Sequence, residues 1–160
     1  MQKSNTSLSE IKLVGIKVRT SNQAESNPET SKIASMAGKY FHNSISESIP
    51  NKNNPGITYI AYTEYDSNYQ GDYTCFIGEK VSQFDNIPEN LETHIIPAQN
   101  YIKFTTESGP MPNIVIGSWM EIWQMQELEA QRSYKTDFEI YDSRAADPSN
   151  TILDIYIGII

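Results

Sequence analysis

The chain has 160 residues, with 20 Asp+Glu against 12 Lys+Arg, one Cys and ten Tyr. That length suits one domain with a core that needs no disulfide or metal staples. A net charge of -8 excludes a domain that relies on phosphate contacts, and the single Cys excludes a disulfide framework or a Cys-based zinc site.

No apolar stretch approaches the ~20 residues of a membrane helix. Met1 to Ser7 has no apolar signal core, which predicts a cytoplasmic protein, and the acidic charge and lack of a spanning stretch predict no direct nucleic-acid or membrane partner. Residues 1–9 are polar and are expected to form a flexible N-terminus. Ile11 to Thr20 holds Leu13, Val14, Ile16 and Val18 and reads as a strand. Pro28-Glu29-Thr30 opens a segment with Ile33, Met36, Ala37, Tyr40, Phe41 and Ile45, spaced as one apolar helical face. The Asn- and Pro-dense stretch from Asn51 to Gly56 ends it. Ile57 to Tyr65 and Tyr73 to Gly78 are two strands joined by the turn-rich segment 66–72.

The second half repeats this order. Leu91 to Thr106 is a long strand or a bent strand pair, interrupted at Pro97. Val115, Trp119, Ile122, Trp123 and Gln126 recur at helical spacing, and Phe138 to Tyr141 and Ile152 to Ile159 are closing strands. Local sequence agrees. Ile16-Lys17-Val18-Arg19-Thr20 parallels Ile102-Lys103-Phe104-Thr105-Thr106, Tyr65-Asp66-Ser67 parallels Tyr141-Asp142-Ser143, and Phe76-Ile77-Gly78 parallels Tyr156-Ile157-Gly158. The predicted fold is α+β, a duplicated strand-helix-strand-strand unit spanning residues 10–160. The repeats run from about 10 to 80 and about 90 to 160. Two helices pack on one side of antiparallel sheets, with pseudo-twofold symmetry and a ligand groove on the other side.

Period-two alternation assigns faces. Leu153, Ile155, Ile157 and Ile159 are expected to face the helices, with Asp154, Tyr156 and Gly158 opposite. Phe138 and Ile140 are likewise placed in the core, with Asp137, Glu139 and Tyr141 turned away. The repeat then adds Phe76, Thr63, Tyr65 and Tyr59 to this second face. A carboxylate among aromatic rings suits an organic cation, because ring faces add ~0.5–2 kcal/mol each when desolvated. Aromatic walls supply contact area with few demands on shape. The competing reading is ordinary half-buried sheet surface, with Glu139 only accepting a Tyr hydrogen bond.

Ile96-Pro97-Ala98-Gln99-Asn100-Tyr101-Ile102-Lys103-Phe104, followed by Gly109-Pro110, resembles the central strand motif of the GyrI-like small-molecule-binding domains. Trp119-Met120-Glu121-Ile122-Trp123 resembles that family's second-helix motif. Phe138-Glu139-Ile140-Tyr141 and Asp154-Ile155-Tyr156-Ile157 resemble its closing strands. Order and spacing agree across residues 91–160, and the first half matches more weakly. The family includes gyrase-inhibitory proteins and the effector domains of multidrug-sensing transcription regulators. The resemblance implies the duplicated fold, and it implies Glu139 as the acidic residue of a pocket. It further implies a stand-alone cationic-drug-binding member of the kind carried on integron gene cassettes. The sequence departs from the family in two places. No room precedes Ile11 for a helix-turn-helix domain, and Gly158 stands where the family often has Pro.

The expected ligand-binding residues are Glu139, Tyr156, Tyr141, Tyr59, Tyr65, Phe76, Tyr101 and Trp119. Tyr101 either lines the groove or packs beneath it. Trp123 is read as core packing, whereas Trp119 can reach the groove edge. Cys75 is expected as a buried, inert thiol. His42 and His94 have no partners at ligand spacing, so no metal is expected. No cofactor is expected either, since no phosphate-cradling glycine loop or nucleophile elbow occurs.

Three functions follow. The first is a binding module for a hydrophobic, cationic small molecule. The second is a protein-interaction role with DNA gyrase or a regulator as partner. The third is a hydrolase of reactive small molecules with Glu139 as general base, for which no second catalytic group is identifiable. The apolar C-terminal strand is compatible with a homodimer.

Overall fold

The computed structural model describes residues 1–160. Eight antiparallel strands form one sheet: β1 (Gln2–Leu8), β2 (Ile11–Ser21), β3 (Thr58–Thr63), β4 (Asp72–Val81), β5 (Glu92–Ile96), β6 (Gln99–Thr105), β7 (Thr136–Tyr141) and β8 (Asp154–Ile159). Four helices join them: α1 (Asn22–Glu25), α2 (Ile33–His42), α3 (Asn113–Trp123) and α4 (Gln126–Glu129). None is long and apolar enough to cross a membrane.

The strand order is β1-β6-β8-β7-β3-β4-β2-β5. Six strand intervals separate β5 from β6, roughly 29 Å in a flat sheet. Yet only Pro97 and Ala98 lie between Ile96 and Gln99, a reach of roughly 10 Å. Ser9 and Glu10 make the same short link between β1 and β2. The sheet must therefore curl until its ends approach each other.

This curl makes the face without helices a closed interior. Its core draws only on strands: Ile11, Leu13, Ala61, Phe76, Ile96, Tyr101, Phe138 and Tyr156 are all buried there. Phe138 stacks on Tyr156 with centroids 4.6 Å apart, and Tyr101 meets both rings edge-on. The groove expected on this side is thus filled by side chains.

The helices pack on the outer face. Met36 and Tyr40 of α2 bury against Val14, Ile16, Cys75 and Ile77. Trp119 and Ile122 of α3 bury against Phe104, Leu153, Ile155 and Ile157. Cys75 is fully buried, and burial pushes its thiol well above the ordinary range.

Residues 2–8 correct the expectation of a flexible N-terminus. They pair along β6 from Gln2↔Thr105 to Leu8↔Gln99. Polar side chains suit an edge strand, where they discourage pairing with other chains.

Gly15 and Gly78 face each other across β2 and β4. A Cβ at Gly78 would lie 2.1 Å from the Val14 carbonyl oxygen, and one at Gly15 would lie 1.9 Å from that of Ile77. Neither backbone atom can swing aside as a side chain could. Gly78→Ala is expected to lose about 1–3 kcal/mol in a urea melt. An unchanged midpoint would mean that the two strands can separate locally at no cost.

Candidate functional site

β3 and β7 run antiparallel at the centre of the sheet. Their register pairs Thr58 with Tyr141, Ile60 with Glu139 and Tyr62 with Asp137. One lateral row therefore reads Ile16, Ile77, Ile60, Glu139, Ile155, Phe104. Ile155 belongs to the core beneath α3, so Glu139 lies on the helix-bearing face. A single carboxylate interrupts an apolar row.

Glu139 is 1% exposed. Its Oε2 accepts from the Tyr62 hydroxyl at 2.9 Å and from Trp119 Nε1 at 2.6 Å, and its Oε1 accepts from the Tyr141 hydroxyl at 2.6 Å. No Lys, Arg or His forms an ion pair with it. Burial raises its pKa, and the hydrogen bonds from Tyr141, Trp119 and Tyr62 partly oppose the rise.

Asp137, two residues earlier on the same face, differs in one respect. It is fully buried, but its Oδ2 accepts from Arg132 Nη2 at 2.6 Å and from the Tyr65 hydroxyl at 2.6 Å. Its Oδ1 accepts from the Gly158 N–H at 2.8 Å. Asp137 has an internal cation and Glu139 has none. The Gly158 bond also accounts for the departure noted in the sequence, because a Pro at 158 would lack that donor.

Two cavities flank the Glu139 cluster. The first, about 200 Å³, lies between the sheet and α1, α2 and α3, with Tyr62, Tyr65, Tyr73, Trp119, Trp123 and Arg132 on its wall. The second, about 650 Å³, has Thr58, Ile60 and Tyr141 at its base and Ala37, Phe41 and Met111 at its side.

The expected residues separate into two groups. Glu139, Tyr141, Trp119 and Tyr65 come together on the helix face. Tyr59, Phe76, Tyr101 and Tyr156 do not join them. They belong to the strand-only interior, where Tyr59 stacks on Phe138 at 5.9 Å. The assignment of β7 faces is thus inverted. Phe138 points into the curled sheet and Glu139 toward the helices, because apolar residues are buried on both faces here. Thr63 also faces inward, bonded to Thr136. Tyr65 escapes that side because Glu64 adopts φ 52°, which breaks the alternation. Trp123 is 47% exposed on the cavity wall rather than packed in the core. Tyr62, Tyr73 and Arg132 were not singled out in the sequence. Tyr62 carried the one available signal, its position three residues from both Tyr59 and Tyr65, which puts it on the opposite strand face from Tyr59.

The raised pKa of Glu139 fixes a pH dependence. The folded chain holds this proton to higher pH than the unfolded chain, whose ordinary value is 4.5. The site's contribution to stability is therefore fullest below 4.5 and declines as pH rises through the folded value. Asp154 has the opposite sign. Burial pushes it up, but Arg144 and Thr105 outweigh burial and hold it below 3.8, so its stabilisation is lost as pH falls. Glu139→Gln is expected to raise Tm most at about pH 8, with the gap to wild type closing toward pH 4.5. A gap independent of pH would remove Glu139 as a buried charge.

The family Cass2, integron-associated effector binding protein, matches residues 6–159. The chain belongs to this family. Its Cass2 membership agrees with the GyrI-like motifs of the second half. The Bacillus subtilis (strain 168) protein YobU is 29% identical over 148 residues, covering 92% of this chain and 91% of YobU. The integron cassette protein VCH_CASS2 from the mobile metagenome of Vibrio cholerae superposes with a TM-score of 0.80 at 25% identity, covering 99% of this chain and 95% of that one. SAV2435, solved bound to tetraphenylphosphonium, superposes with a TM-score of 0.77 at 18% identity, covering 100% and 94%. At that identity SAV2435 supports the fold alone.

Proposed function

We propose that this Cass2 protein binds hydrophobic, cationic small molecules between α2 and α3, with Glu139 as the counter-charge. The observation that carries the reading is a fully buried carboxylate, held by three donors and no cation, between two cavities with aromatic and aliphatic walls. A buried charge without a partner is costly. A lipophilic cation supplies the missing charge and covers the apolar walls in one step. Tyr62, Tyr65, Tyr73, Trp119 and Trp123 offer ring faces, each worth about 0.5–2 kcal/mol to a cation. That SAV2435 is bound to tetraphenylphosphonium is consistent with this ligand class.

The reading includes the duplication. From either edge, the strand order presents an outer strand, then the first, third and second strands of a strand-helix-strand-strand unit. β1 precedes the first unit yet pairs with β6 of the second, and β5 precedes the second yet pairs with β2 of the first. Gly78 and Gly158 occupy matching places, opposite Gly15 and Tyr101. The groove for the ligand then lies over the pseudo-twofold between β3 and β7, on the helix side.

Binding rather than catalysis fits Glu139, since both its oxygens are already engaged by donors. One observation favours a protein partner instead: Ile116, Met120 and Trp123 form an exposed apolar row on α3. Two of these three also line the first cavity, so ligand entry accounts for most of the row.

The test is a titration of intrinsic Trp and Tyr fluorescence with lipophilic cations and matched neutral aromatics. Saturable quenching by the cations, with weaker binding of the neutral compounds, is expected. Absence of saturable binding by both classes, together with gyrase inhibition in a supercoiling assay, would transfer the function to a protein partner.

A further inference from the structure

On the wall of the first cavity, the buried polar groups are spent on protein partners, with one exception. Tyr62 and Trp119 donate to Glu139, Tyr65 to Asp137, and Tyr73 to Asn22. Asn22 donates to the Tyr69 carbonyl. Glu25 accepts from the Thr20 hydroxyl and from the N–H groups of Lys32 and Ile33. The exception is Arg132. Its side chain is 3% exposed, its Nη2 donates to Asp137, and its guanidinium lies 4.2 Å from the Tyr134 ring centroid. Its Nε and Nη1 have no acceptor. Nη1 stands 3.9 Å from Glu129 Oε2, beyond hydrogen-bond reach. Buried donors in native proteins are nearly always paired. Arg132 lines the cavity, and its two idle donors, closed off from solvent in this conformation, call for an acceptor that arrives with the ligand.

The strand fixes where that acceptor falls relative to the positive charge. Arg132 is anchored on Asp137, and Asp137 and Glu139 are i, i+2 neighbours on one face of β7. Two strand residues span roughly 7 Å. We infer that the first cavity takes an aromatic cation bearing a hydrogen-bond acceptor, a carboxylate or carbonyl, roughly 7 Å or more from its positive centre, and that Arg132 is the residue that recognises this acceptor. The inference rests on Glu139 as the counter-charge of the cation. A bare cation leaves the two donors idle, whereas an acceptor-bearing one engages them. A site with a polar group in waiting discriminates against ligands that lack its partner.

Three dyes with one xanthene fluorophore test this. Tetramethylrosamine has no acceptor on its pendant phenyl ring, tetramethylrhodamine has a carboxylate there, and the methyl ester has a carbonyl. In fluorescence titrations the wild type is expected to bind both acceptor-bearing dyes about tenfold or more tighter than the rosamine. Arg132→Lys keeps a charge beside Asp137 but removes the guanidinium fork, and should reduce the preference to about threefold or less. Arg132→Gln with Asp137→Asn removes both charges together, and so avoids an unpaired buried ion. It should lose the preference as well. Glu139→Gln should weaken all three dyes and leave the preference intact.

A fourth probe, 8-anilinonaphthalene-1-sulfonate, is an aromatic anion without a cation. Binding that Glu139→Gln keeps and the Arg132 variants lose would support Arg132 even where cationic dyes do not bind. Equal affinity for the three dyes overturns the assignment. So does a preference that survives both Arg132 variants, or a wild type that binds none of the four probes.

Discussion

Glu139→Gln is expected to weaken tetraphenylphosphonium by about 2–3 kcal/mol, roughly 30- to 160-fold, while triphenylphosphine oxide loses less than about 0.5 kcal/mol. Both probes bring aryl groups to the same rings, and only one brings a charge. Gln is close in shape to Glu, and its carbonyl oxygen can accept from the donors that now converge on Glu139 Oε2, Tyr62 and Trp119. The aromatic wall should therefore stay in place while the countercharge disappears. Burial gives the charge its weight, because at 1% exposure little water screens the pair. Isothermal titration of both probes against both proteins measures the difference. Equal losses for the two probes would assign Glu139 to packing alone. An unchanged affinity for tetraphenylphosphonium would move the cation elsewhere in the groove.

Much of the fold was legible because its signals are local. Helical spacing located α2 and α3, and the runs rich in β-branched residues located seven of the eight strands. β1 was not legible, because an edge strand that pairs through its backbone needs no apolar side chains, and Lys3-Ser4-Asn5-Thr6-Ser7 has none. The faces of β7 were misread for a related reason. Alternation tells which residues share a face, but not which face bears the helices when both are buried. Phe138 and Ile155 are both fully buried, on opposite sides. The curl that creates the second interior comes from short links between distant strands, which appear only once the strand order is known. Glu139, Tyr141 and Trp119 could be named from motifs, and Tyr65 from its parallel with Tyr141. Arg132 could not, because its role depends on Asp137 lying beside it in the folded chain.

Asp137→Ala is expected to be the most damaging single change, with a loss of about 3–5 kcal/mol. Three groups depend on this carboxylate. Arg132 would keep its charge in a side chain that is 3% exposed, with no counter-ion at hydrogen-bond distance. The Tyr65 hydroxyl and the Gly158 N–H would each lose an acceptor. The Gly158 bond ties the end of β8 to β7, where a Cβ at 158 would already lie 2.7 Å from the Thr136 carbonyl oxygen. That corner has no slack in which to rearrange. Asp137→Ala combined with Arg132→Met removes the ion together with its partner, and should recover a large part of the loss. Urea melts of the two single variants and the double variant complete the cycle. A double variant no more stable than Asp137→Ala would mean that the orphaned hydroxyl and amide, rather than the unpaired guanidinium, account for the damage. The pair would then serve to orient Tyr65 and β8 more than to balance charge, and the cavity wall beside Glu139 would owe its shape to those two hydrogen bonds.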